Sequence, residues 1–317
     1  MGLATNVDAA RLERGAEGDP RPTPSLRGAR GFHRRALIAG AAASLCAAHA
    51  LAAGAAFAGI EARVGGRLGV AALDPASGER LAYRADERFP MCSTFKAMAV
   101  AALLARLDRG EDRLDRFVHY GAADLLEYAP VTRANVGKGG MPLGDLCAAA
   151  IELSDNTAAN LILATIGGPA GWTRFVRGLG DHRSRLDRNE PTLNTAIPGD
   201  PRDTTTPAAM LADLRAALLG KALRPATSDR LKGWMVACGT GLTRLRAGLP
   251  NDWQVADKTG SGAHGTANDI AVAWTPTGPI VIACYLTGAE AAKPEARDAS
   301  IADVGRLVAA RLRPAHG

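Results

Sequence analysis

Aromatic residues make up only 4% of this 317-residue chain, and no Lys/Arg stripe is interleaved with them. Stacking of bases in a basic groove therefore has no visible basis, and no nucleic-acid partner is expected. The chain also lacks C-x-x-C, H-x-H and H-E-x-x-H, so neither a metal nor another cofactor is expected. No internal repeat appears. What is plentiful is apolar: 47% of residues are hydrophobic, enough to build a core in one large domain or two closely packed ones. Charge is unevenly placed. Residues 1–50 carry 7 Arg against 4 acidic residues, whereas 31 basic and 28 acidic residues follow. The later part is only weakly basic and gives no reason to expect a stable membrane partner.

The N-terminus reads as an address. Polar, Pro/Gly-rich sequence leads to Arg34 and Arg35, then to a short Ala-rich apolar run with several A-x-A-like sites. Residues 1–52 are expected to be an export signal, by the general secretory or the twin-arginine route, cleaved after Ala50, Ala52 or Ala58. Cys46 is a poor lipid attachment site because Leu45 before it is bulky. A periplasmic or secreted protein follows. Four cysteines would remain, Cys92, Cys147, Cys238 and Cys284. All lie in or beside apolar runs, which favours small buried hydrophobes over bridges.

The organisation is α/β. "GRLGVAALD" and "RLAYRA" alternate as two strands joined by "PASGE", and "WQVADKTG", "DIAVAWT" and "PIVIACYLTG" read as three more near the C-terminus. Between them the pattern is helical: 93–107, 142–153, 156–166 stopped by Gly167 and Gly168, 207–219, and one starting at Ser228. A last helix spans about 299–312. Strands at both ends around a helical middle imply one sheet interrupted by an all-α subdomain at about 92–235, with a ligand groove between the two parts.

Three short motifs stand out. "MCSTFKAM" places Ser93 and Lys96 at i and i+3, on one helix face, where an amine can help deprotonate a hydroxyl. With nine Ser and six Lys, S-x-x-K arises by chance about 0.2 times, so the motif alone is only suggestive. A lone Lys in "STFKAMAVAALL" is, however, costly to bury unless paired or functional. "ELSDNTAAN" holds Ser154, Asp155 and Asn156 at a helix junction, where a simple N-cap would also suit them. "ADKTGSG" carries Lys258, Thr259, Gly260 and Ser261 at a strand end running into a glycine turn. Their order matches the S-x-x-K, S-D-N and K-T-G set of serine β-lactamases and penicillin-binding proteins.

From about Gly65 to Leu312 the sequence resembles a class A serine β-lactamase. The added mark is "RLDRNEPTLN", with Glu190 and, four residues on, Asn194; penicillin-binding proteins lack this loop. The resemblance implies an antiparallel sheet flanked by helices, in a β-lactamase/transpeptidase-like α/β fold over 53–317. It implies Ser93 as nucleophile, Lys96 or Glu190 (through a water) as acylation base, and Ser154 as proton donor to the lactam nitrogen. Asn156 would bind the substrate's side-chain amide, and Glu190 with Asn194 would hold the deacylating water. Backbone N–H groups of Ser93 and Ser261 would form the oxyanion hole, each donor worth about 3 kcal/mol in the transition state. Arg244, rather than Arg246, would face the substrate carboxylate beside Lys258, Thr259 and Ser261, since the position where many relatives carry Arg is here Ala267. Tyr128 would be an aromatic gate. Arg188 and Asp203 would tie the loop's neck, and the bond before Pro191 would be cis.

Departures from the family narrow the substrates. Val100 and Gly262 stand where some members have cysteines, so the bridges to Cys147 and Cys92 are not expected. The resemblance implies a monomer that acts on penicillins and early cephalosporins rather than carbapenems. The competing readings are a D-alanyl-D-alanine carboxypeptidase or transpeptidase and a penicillin sensor.

Overall fold

The computed structural model describes residues 52–313, so the expected export signal up to Leu51 lies outside the described residues. Residues 52–64 form helix α1. The main sheet then begins with β1 (Arg67–Leu73) and β2 (Arg80–Tyr83). Two-residue β3 (Phe89–Pro90) leads into a 3-10 turn over Cys92–Thr94 and helix α2 (Phe95–Asp108). A helical stretch follows: β4 (Phe117–His119), α3 (Pro130–Asn135), β5 (Gly140–Pro142), α4 (Leu143–Glu152), α5 (Asn156–Ile166) and α6 (Gly168–Gly178). A long loop closes on β6 (Thr204–Thr205) and runs into α7 (Pro207–Leu218), α8 (Pro225–Val236) and short α9 (Leu245–Gly248). The chain returns to the sheet with β7 (Gln254–Gly262), β8 (Thr266–Thr275) and β9 (Gly278–Thr287), then ends in α10 (Pro294–Leu312).

The sheet is antiparallel throughout, in the order β2-β1-β9-β8-β7. Both faces are covered, and the strand period of two sorts the side chains between them. Ile270, Val272, Val281 and Ala283 join a large core with α2, α4, α5 and α7. Ala271, Ala273, Ile280 and Ile282 face the other way, onto α1 and α10. A strand apolar on both faces shows as an unbroken hydrophobic run, which is how residues 270–274 of β8 and 279–286 of β9 read in sequence.

Helix α2 is buried from Phe95 to Ala105 on every side. Such a helix needs no amphipathic stripe, and its alanines let neighbouring helices approach closely. Trp172 of α6 is wholly buried against it and donates its indole N–H to the Phe95 carbonyl at 2.9 Å. Burying a side chain of that kind stabilises by roughly 2–3 kcal/mol.

The structure corrects several boundaries. Helix α1 extends across the expected cleavage region, and its Phe57 and Ile60 are buried in the outer core, so a cut after Ala58 would remove Phe57 from that core. Gly167 does end α5, in the left-handed conformation (φ +89°), but Gly168 opens α6 rather than a loop. Helices α8 and α10 start at Pro225 and Pro294, three and five residues earlier than expected, because proline suits the first helical turn. Strand β7 continues through Gly260 to Gly262 instead of stopping in a glycine turn. Cys92, Cys147, Cys238 and Cys284 are all buried, unpaired thiols.

Candidate active site

Ser93 and Lys96 are not on one helix, since Ser93 lies in the 3-10 turn and Lys96 in the first turn of α2, and their side chains meet at Glu190 Oε1. Cys92, just before Ser93, takes φ +45°, a conformation unfavourable for a residue with a Cβ. Surrounding bonds hold it there. Asn268 of β8 donates to the Pro90 and Met91 carbonyls at 2.9 and 3.1 Å, and the Thr94 hydroxyl donates to the Met91 carbonyl at 2.8 Å.

Lys96 is completely buried, and four oxygens surround its amine. It donates to the Ser154 carbonyl (2.8 Å), Asn156 Oδ1 (2.6 Å) and Ser154 Oγ (3.2 Å), and lies 3.0 Å from Glu190 Oε1. An ammonium has three protons, so the longest contact, to Ser154 Oγ, is the one that can reverse when the amine is neutral. Burial pushes the Lys96 pKa down, and the charge of Glu190 opposes that shift. Ser154 Oγ also accepts from Lys258 Nζ at 3.1 Å. The N-cap reading of this segment is half right: Asp155 caps α5 by accepting from the Ala158 N–H, while Ser154, at φ +57°, turns its hydroxyl toward the two lysines.

The loop between α6 and β6 carries Glu190. Its neck is closed by Arg188 Nε on Asp203 Oδ2 at 2.6 Å, and Asp203 Oδ1 accepts the Asp187 and Arg188 amides. The Glu190–Pro191 bond is cis. Asn194 Nδ2 donates to Glu190 Oε2 at 2.5 Å, and Glu190 Oε1 accepts from Ser93 Oγ at 3.1 Å. The Asn194 carbonyl accepts from the Ala263 amide, docking the loop on the end of β7.

Asn160 was not anticipated. Its side chain accepts the Glu190 amide at 3.0 Å and donates to the Glu190 carbonyl at 2.9 Å. A signal existed: Asn160 lies four residues after Asn156, on the same face of an otherwise apolar helix.

Opposite the loop, β7 forms the other wall. Gly260 rests against the turn that carries Ser93, where a Cβ would lie 2.7 Å from the Met91 carbonyl oxygen and 3.2 Å from the Ser93 nitrogen; only glycine permits that approach. Arg244 Nη2 donates to Ser261 Oγ at 2.8 Å, and Nη1 donates to the Gly260 and Asn268 carbonyls. Asp298 of α10 holds Arg244 Nε at 2.8 Å, a second residue not anticipated. Arg246 is elsewhere, paired with buried Asp257. Ala267 faces Ser261 in register across the strand pair. Burial pushes the Lys258 pKa down to about 8.

Ser93, Tyr128, Ser154, Asn156, Asn194, Arg244 and the Thr259–Ser261 edge line one cleft of about 300 Å³, with Lys96, Glu190 and Lys258 buried behind it. Tyr128 stands at its mouth, half exposed. A larger cavity of about 390 Å³ behind residues 196–201 contains none of these groups. Among the described residues no cluster of His, Cys, Asp and Glu could hold a metal ion.

A serine hydroxyl and a buried lysine amine converging on one carboxylate oxygen, with two strand-edge hydroxyls and a guanidinium across the cleft, define a serine acyl-transfer site. Known proteins agree with that class. The sequence model of the beta-lactamase enzyme family matches residues 53–312. Beta-lactamase AST-1 of Nocardia asteroides is 54% identical over 254 residues, 80% of this chain and 81% of that protein. Beta-lactamase CTX-M-8 of Citrobacter amalonaticus is 49% identical over 253 residues, 79% of this chain and 86% of that protein. Among solved structures, the class A beta-lactamase of the last common ancestor of Gram-negative bacteria superposes with a TM-score of 0.81 at 58% identity, covering 83% of this chain and 100% of that one. The chain belongs to the beta-lactamase enzyme family and is a class A serine enzyme of it.

Proposed function

We propose that the protein hydrolyses the amide bond of penicillins and cephalosporins through an ester on Ser93, and so confers resistance to these antibiotics. Attack of Ser93 Oγ on the lactam carbonyl forms the C–O bond as the hydroxyl proton leaves. Two groups are candidates to take that proton: Glu190, which the hydroxyl faces at 3.1 Å, and Lys96, whose amine lies 3.0 Å from the same Glu190 oxygen and whose burial favours the neutral form. The oxyanion is met by the Ser93 and Ser261 amides. Ser154, between Lys96 and Lys258, delivers a proton to the lactam nitrogen as the C–N bond breaks. Asn156 binds the side-chain amide, Tyr128 flanks the entrance, and Arg244, Lys258, Thr259 and Ser261 hold the carboxylate. Water activated by Glu190 then cleaves the ester. Asn194 Oδ1 is buried with no donor among the described residues, which suits it to that water.

The observation that carries this reading is the Ser93–Glu190 contact, because a carboxylate at the nucleophile is what an acyl-enzyme needs for rapid hydrolysis. We further read residues 53–317 as the catalytic domain, with an all-α subdomain at about 92–235, acting as an exported monomer. No described helix is long and apolar enough to cross a membrane.

The test is stopped-flow hydrolysis of benzylpenicillin and a chromogenic cephalosporin, with intact mass spectrometry of quenched samples. Rapid turnover without a lasting adduct supports the lactamase. A long-lived adduct on Ser93 would favour the carboxypeptidase or sensor reading.

A further inference from the structure

Five arginines, Arg88, Arg174, Arg177, Arg183 and Arg185, line one open concavity of about 610 Å³ beside α6. The single carboxylate in its wall, Asp187, is already paired with Arg185 at 2.5 Å. Among the described residues the other four arginines have no carboxylate within ion-pair distance. They are nonetheless partly held in place. Arg88 donates to the Arg183 carbonyl at 2.7 Å and to Thr204 Oγ1 at 3.1 Å, and Arg177 donates to the Asp181 carbonyl at 2.5 Å. Asp181 in turn accepts the Arg183 and Ser184 amides, fixing the turn that presents Arg183. Neutral oxygens thus orient the Arg88 and Arg177 guanidiniums without cancelling their charge.

We propose that this basin binds a small anion carrying two or more phosphoryl groups. Four uncompensated positive charges in one hollow repel each other, and a ligand of matching charge relieves that repulsion. One carboxylate would leave three of them unanswered, and one phosphate would leave most of the volume empty. Linked phosphoryl groups present several negative oxygens compactly, and each can take a guanidinium in the two-bonded geometry that arginine favours. The basin shares no lining residue with the catalytic cleft. The site is therefore additional to the reaction proposed above and does not rest on it.

Inorganic tripolyphosphate titrated calorimetrically into the folded protein at about 150 mM salt, where weak long-range attraction is screened, tests this. One saturable site per chain is expected. Arg174→Gln/Arg183→Gln, which changes two exposed residues outside the cleft, should weaken it at least 10-fold and leave penicillin turnover unchanged. Absence of saturable heat, equal binding by the double variant, or equally tight binding of sulfate at the same ionic strength would overturn the proposal. Phosphatidylglycerol vesicles separate the sources of phosphate. Vesicle binding displaced by tripolyphosphate supports a phosphoryl site that also accepts a lipid headgroup, whereas binding lost in the double variant but not displaced would make the basin a membrane face and overturn the small-anion reading.

Discussion

Ser93 Oγ donates to Glu190 Oε1 at 3.1 Å, although 97 residues of chain separate the two. The contact has three supports: Asn194 on the second carboxylate oxygen, Asn160 on the Glu190 backbone, and the Arg188–Asp203 pair at the loop's neck.

Glu190→Gln keeps the shape of that side chain and removes its basicity. It should still form the ester on Ser93 but lose about 10³-fold in hydrolysis of that ester, the range a positioned general base supplies. Intact mass spectrometry after mixing with benzylpenicillin should show a persistent adduct of the whole substrate. Rapid return to the unmodified mass would remove Glu190 from deacylation.

Lys258 is proposed to supply positive charge to the carboxylate site, and burial brings its pKa down to about 8. A group with a lowered pKa loses its proton as pH rises through that value, so kcat/KM for penicillins should fall above about pH 8. Lys258→Arg keeps the charge at all accessible pH, and the falling limb should move upward. A pH-rate profile with the limb unmoved would assign it to another group.

Arg244 is gripped on one side by Asp298 and reaches Ser261 on the other. Arg244→Ala should raise KM roughly 10–100-fold, as expected for a lost charge-assisted contact of about 1.5–3 kcal/mol. Asp298→Asn should give a smaller rise in KM with kcat nearly unchanged, since it loosens the guanidinium without removing it. Steady-state kinetics of both variants and their combination test the coupling: effects that simply add would show that Asp298 does not act through Arg244.

Asp213 of α7 is buried, and burial together with the charge of Asp181 pushes its pKa up to about 9. Its Oδ2 has no partner among the described residues. The folded state therefore keeps a proton that the unfolded chain releases above about pH 4, so this residue's contribution to stability falls as pH rises from about 4 to about 9. Asp213→Asn should raise Tm by about 2–4 °C at pH 8, equivalent to roughly 1 kcal/mol, with little effect at pH 4. Thermal melts at the two pH values would refute this if the gain were larger in acid.

Local pattern alone determined the five strands of the sheet, the stop at Gly167, and the order of the three motifs, because the periods of two and 3.6 and the demands of capping act over a few residues. Pattern was weakest where glycine and proline start elements as readily as they end them. Gly168 opens α6, and Pro225 and Pro294 each begin a helix. Helix α1 was hidden because an Ala-rich helix and an export signal share one composition. The site's fine structure came only from packing. Whether Asp155 or Ser154 caps α5, and that Asn160, Asn268 and Asp298 brace Glu190, the Ser93 turn and Arg244, depend on where distant segments meet. Lys258 reaches Ser154 across 104 residues. No repeat along the chain encodes that distance; it is set by the sheet and the helices closing on one another around a shared core.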